Sequence, residues 1–168
     1  MARHFRLVPE GVEVRFTPGE ARLLADLPHV LAGLGAEAED PGAARLNPPV
    51  YLGDPEADAE WRRLAGSELN SARRADRSAF EMVVDAVLEH VDDRDPAEEE
   101  PESVVISEEE AGAFLRVVNE VRLVLGARWG IDGPDDFEHL RPEAGEVLSY
   151  LGWLVTEIAE VLGAALDR

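Results

Sequence analysis

The sequence contains no cysteine, and all sixteen of its basic residues are arginine. The absence of cysteine excludes disulfides, thiolate nucleophiles and cysteine zinc sites. The absence of lysine excludes Schiff-base catalysis and any phosphate loop of the GxxxxGK[ST] type. No apolar run approaches the ~18 residues of a membrane span, and the N-terminal MARHFRLVPEG lacks a signal-peptide core. A soluble, cytoplasmic protein is expected. Neither a repeat of fixed period nor an alternation of strand and helix is visible, which argues against solenoids and doubly wound sheets.

The 168 residues are 45% apolar and 31% charged, ordinary usage for a globular chain able to bury a core. The charge balance is not ordinary. Thirty-six acids against sixteen arginines give −20. Residues 1–80 carry −3 of this and residues 81–168 carry −17. Ten acids and one arginine fall within Asp92–Glu110. Such an anion repels nucleic acid and attracts basic partners. The segment reads either as a solvated loop or as a docking site for a basic protein surface. Local clusters of arginine, Arg62 to Arg77 and Arg3 to Arg15, are expected to pair with the abundant carboxylates.

The patterning predicts a mainly α protein: a four- to five-helix bundle with an N-terminal β-hairpin, one domain over residues 1–168. Phe5, Leu7, Val12, Val14 and Phe16 alternate about Pro9-Glu10-Gly11, so residues 1–16 read as the hairpin. Thr17, Pro18 and Glu20 form a capping box that opens a helix, which Pro28 should kink or split. Residues 35–53 read as a flexible linker. Asp54-Pro55 starts a second helix, with Gly66-Ser67 as a candidate interruption before a strongly striped stretch from Ser71 to Val91. Residues 92–106 read as a second linker. Ser107 and Glu110 cap a helix apolar on most of its circumference, hence central. Gly130 and Ile131 suit its C-terminal cap. A last helix runs from Pro142 to about Leu166, striped by Leu148, Leu151, Val155, Ile158 and Leu162.

No catalytic constellation emerges. His4, His29, His90 and His139 fall in no HExxH or ExxH arrangement, no serine lies in a GxSxG elbow, and no glycine-rich phosphate loop is present. The E-x-x-E pairs Glu143/Glu146 and Glu157/Glu160 lack a histidine to complete a metal set. The expectation is no enzyme, no metal and no cofactor. Two places stand out as partner contacts. On the central helix, Arg116, Asn119, Glu120 and Arg122 are polar among apolar residues, reading as an intramolecular clamp or as an anion or partner contact. On the last helix, Tyr150, Trp153 and Glu157 lie at the edge of the stripe. Trp153 is either core or an exposed hot spot.

Several stretches together resemble one family: Tyr51 after Pro48-Pro49, the run Asp54–Leu64 (DPEADAEWRRL), Asn119–Gly130 (NEVRLVLGARWG) and Leu151-Gly152-Trp153-Leu154. They are similar to the actinobacterial oxidative-stress regulators, domain of unknown function 2017. The resemblance implies a cytosolic regulator, a studied branch of which binds an alternative sigma factor in stress-linked transcription, and a sigma factor or RNA polymerase is the expected partner. It also implies a gene neighbourhood with an adaptor of the Clp protease. The studied branch senses oxidation through a cysteine pair, which this chain lacks. Three readings follow: a protein-binding regulator meeting a basic surface, a structural or adaptor module, as a monomer or a homodimer, linked to proteolysis, and an enzyme in which Arg122, Glu120 and a histidine converge in a pocket. The first is the expectation.

Overall fold

The computed structural model describes residues 4–34, 39–91 and 93–166. Residues 1–3 of the expected hairpin, 35–38 and 92 of the expected linkers, and the last two residues lie outside that description. Among the described residues are three strands and five α-helices: β1 (Phe5–Val8), β2 (Gly11–Phe16), α1 (Pro18–Ala32), α2 (Pro41–Leu46), α3 (Pro55–Val91), β3 (Glu102–Ile106), α4 (Glu108–Arg128) and α5 (Pro142–Leu166). A 3-10 turn, Pro134–His139, precedes α5.

β1 and β2 form the antiparallel hairpin, with Phe5 opposite Val14 and Leu7 opposite Val12. β3 adds antiparallel to β2, with Val12 opposite Ile106 and Val14 opposite Val104. This third strand lies inside a segment whose sequence reads as a linker. Its five residues carry too little local pattern to declare a strand, and its partner is some ninety positions away. Gly11 is needed at the turn: its φ is +145°, and a Cβ there would fall onto the Ile106 carbonyl.

Both predicted capping boxes form, Thr17 with Glu20 and Ser107 with Glu110. α1 runs unbroken through Pro28. The lost hydrogen bond is offset by the buried stripe Leu24, Leu27 and Leu31 around it. α3 is likewise one helix of 37 residues; Gly66 does not interrupt it. α2 occupies the first expected linker and lies against α4 so closely that a Cβ on Gly42 would stand 2.7 Å from a Val124 methyl.

α4 is the central element, touching α1, α2, α3, α5 and β2. At its start four phenylalanines meet: Phe114 lies 4.7 Å from Phe80, 5.7 Å from Phe5 and 5.9 Å from Phe16, ring centre to ring centre. Each such ring buries enough apolar surface to stabilise the fold by roughly 2–3 kcal/mol. α4 closes as its sequence foretells: Gly130 has φ +76° and Ile131 N–H donates to the Gly126 carbonyl at 2.8 Å. α5, against the expectation from its sequence, is long and apolar enough to cross a membrane by length and composition. The core helix of a water-soluble bundle meets the same test, and here one face of α5 packs on α4 and β1.

Candidate functional site

The seven residues singled out from the sequence separate into three places. The first is the interior beneath β1. Glu157 interrupts the buried stripe of α5 between Leu154 and Val161 and is only 4% exposed. One oxygen faces His4 Nδ1 at 3.4 Å, while His4 Nε2 meets Glu20 at 2.8 Å. With both carboxylates ionised, both contacts are hydrogen bonds when the ring carries two protons, because an ionised carboxylate accepts and does not donate. Trp153 stands edge-on to His4, with ring centres 4.6 Å apart. Burial first, then the charge and proximity of Glu20, keep the Tyr150 phenol neutral far above its ordinary range. Among the described residues its hydroxyl nevertheless completes no hydrogen bond of good geometry, and neither does the second oxygen of Glu157. Tyr150, Trp153 and Glu157 therefore all face His4. Glu157 is buried, while Tyr150 and Trp153 are part-buried and keep some surface in solvent.

Glu20 is the residue of this group that sequence reading took only as a cap. Burial raises its pKa, but hydrogen bonds from His4, the Thr17 backbone N–H and the Thr17 hydroxyl outweigh that and lower it to about 2. His4 itself went unrecognised because its partners lie 16 and 153 positions away. The available signal was an acid, Glu157, inside an apolar stripe, which demands a polar partner.

The second place is the seam between α3 and α4, a groove lined by Leu69, Ala72, Asp76 and Asn119 among others. Arg116 binds Asp76 with two hydrogen bonds of 2.7 Å, and this pairing pushes the guanidinium pKa up. Glu120 receives Arg73 at 3.0 Å and Arg77 at 3.3 Å. These are intramolecular clamps. Asn119 makes no side-chain hydrogen bond among the described residues.

The third place lies on the α5 side of α4. Arg122 rests over Gly152, where a Cβ would stand 3.4 Å from its Nε. It lines a crevice with Arg45, Leu123, Gly126, Ala127, Ile131, Phe137 and Leu148. Glu120 and Arg122 thus serve different sides of the helix, and no histidine lines this crevice. Among the described residues no group of three or more His, Asp or Glu could hold a metal ion.

The acidic segment is organised around its own arginine. Arg94 donates to Glu98 at 2.8 Å, to Glu102 at 3.0 Å and to the Glu100 carbonyl. Arg22 of α1 donates to the Arg94 carbonyl at 2.8 Å. A further surface was not singled out from the sequence. Pro55–Ala79 of α3 contains no buried residue. The preceding turn folds back on it, with Asp58 accepting the Val50 and Tyr51 N–H groups and Arg73 gripping the Leu46 carbonyl and the Asn47 side chain. Val50, Tyr51, Leu52, Leu64 and Leu69 stand exposed on this arm, half of the ten exposed large apolar residues among those described.

No curated protein and no solved structure gives a match to this sequence. The family model described as "Domain of unknown function (DUF2017)" matches residues 2–162, a span that includes the His4 cluster, both seams of α4 and the α3 arm; the chain belongs to that family.

Proposed function

We propose that the protein is a non-enzymatic cytoplasmic regulator that acts by binding a protein with a basic surface, and that the arm Asn47–Leu69 is where it docks. The observation that carries this reading is that five of the ten exposed large apolar side chains among the described residues lie on the turn at residues 50–52 and on the helix half that follows it, which has no fully buried residue. Apolar groups gathered this way are costly in water and mark contact surfaces. Charge selects the partner. Residues 50–69 carry five acids and two arginines, and both arginines are engaged, Arg62 by Asp58 and Arg63 by Glu60. The remaining field is negative, and the −17 of residues 81–168 extends it. It attracts a basic protein and repels nucleic acid. The resemblance to oxidative-stress regulators supplies the partner to try first: an alternative sigma factor or RNA polymerase, in stress-linked transcription that is switched without a disulfide.

The test is binding of the purified full chain to RNA polymerase and to its sigma factors, one at a time, by surface plasmon resonance. Leu52→Asp and Leu64→Asp, both exposed, should weaken binding at least about tenfold without loss of helical signal, as expected when an interface anchor is lost. Binding that is absent for every one of these partners, or unchanged in both variants, overturns the proposal. So does a finding that the arm only joins two copies of this chain.

A further inference from the structure

The segment Asn119–Gly130 holds three charged side chains. Two are consumed inside the fold: Glu120 by Arg73 and Arg77, and Arg128 by Asp40 at 2.8 and 3.1 Å. Arg122 is not. Neither it nor Arg45 across the crevice makes a side-chain hydrogen bond or ion pair among the described residues, although acids outnumber arginines more than two to one in this chain. Arg122 is also half-buried, its stem laid over Gly152. A guanidinium held there, beside an apolar wall, is set to receive an anion in a partly desolvated place where the bond is less screened.

We propose that this crevice binds a short-chain monocarboxylate, with Arg122 and Arg45 on the carboxylate and Leu123, Ile131, Phe137 and Leu148 around its apolar body. Three considerations select that class. Two forked donors match the two oxygens of a carboxylate. The net −20 repels each added negative charge on a ligand, which disfavours phosphate esters and dicarboxylates relative to a monoanion. The volume, about 120 Å³, is somewhat below the ~150 Å³ of an engineered apolar cavity that takes benzene, so the body is limited to about four or five carbons. The site stands apart from the arm proposed to dock a partner. It is linked to it through α2, where Arg73 of α3 holds the carbonyl of Leu46, the residue after Arg45.

The test is a titration of the full chain followed by amide NMR shifts, with three probes: 3-methylbutanoate, its uncharged amide, and inorganic phosphate. The carboxylate should give saturable shifts at Leu123, Gly126 and Ile131. The amide and phosphate should each bind at least about tenfold more weakly, the loss expected for a missing charge-assisted bond or a misfitted ion. Arg122→Gln should weaken the carboxylate about tenfold and Arg45→Gln severalfold, while Arg15→Gln on the sheet should change nothing. Equal binding of the amide would mean that the crevice reads shape alone. Phosphate as tight as the carboxylate would mean an undiscriminating anion site. Either result overturns the proposal, as does the absence of saturable shifts up to about 50 mM, a concentration well above the millimolar range expected of so small a ligand. Should Arg122→Gln fail to fold, the Arg45→Gln titration and the three-probe comparison on the parent protein still decide.

Discussion

Glu20 serves two structures at once. It closes the N-terminal cap of α1 by accepting the Thr17 N–H, and it holds His4, which ties β1 to the interior of α5. Burial raises the pKa of Glu20, but hydrogen bonds to its two oxygens are stronger to the ionised carboxylate and outweigh that, so the pKa falls from 4.5 to about 2 in the fold. The unfolded chain binds the proton more readily, so protonation favours unfolding. The stabilisation from Glu20 is complete above pH 4.5 and is lost as pH falls from there towards 2. The shift is equivalent to about 3 kcal/mol, and solvent at the partly exposed carboxylate reduces this to about 2 kcal/mol. Urea unfolding at pH 6, 4.5, 3.5 and 2.5 should show this decline in the parent protein. In Glu20→Gln, stability at pH 6 should be lower by about the same amount, with a correspondingly shallower fall below pH 4.5. An equally steep fall in the variant would place the acid sensitivity elsewhere.

At the scale of elements, α3 is two helices in one. From Phe80 to Val91 it is anchored by Phe80, Val83, Val84, Val87 and Val91; from Pro55 to Ala79 it has no buried side chain. Most helical stability in proteins comes from packing of a buried face, and opening free energies follow burial. Amide hydrogens of residues 59–70 should therefore exchange at least about a hundredfold faster than those of 83–91 in native-state exchange. A bound partner on the arm should close that gap. Uniform protection along α3 in the free chain would show that the arm is held by more than the Arg62, Arg73 and Asp58 contacts. The same contrast explains what was legible beforehand. The capping boxes at Thr17 and Ser107, the Gly130 cap and the stripes of α4 and α5 are local, and each could be read from residues within a few positions. The continuity of α3 through Gly66 and of α1 through Pro28 could not, because a single breaker costs only about 1 to 3 kcal/mol, and neighbouring turns or packing set whether that is borne. β3 and the His4 cluster were illegible for a different reason: their partners are distant in sequence. In the crevice, Arg122 was singled out but Arg45 was not, since nothing local marks a residue on α2 as facing α4.

At the scale of the molecule, the governing quantity is the charge of −20. The described ion pairs are mostly at the surface, such as Arg63 with Glu60 and Arg94 with Glu98, where solvent screening leaves each with little effect on stability. Acids outnumber arginines by twenty, so like-charge repulsion outweighs attraction when summed over the molecule. Salt screens both kinds of interaction, and because repulsion predominates, the net effect is stabilising. Raising NaCl from 20 to 300 mM shrinks the Debye length from ~20 Å to ~6 Å, and the melting temperature should rise by about 3–6 °C, equivalent to roughly 1–2 kcal/mol for a domain of this size. Association with a basic partner should respond in the opposite direction, weakening over the same range as steering and rim attraction are lost. The two measurements separate the roles of the charge. A melting temperature that falls with salt would mean that the surface pairs outweigh the repulsion. The acidic half would then serve chiefly to stabilise the fold, rather than impose a cost on it that a basic partner relieves.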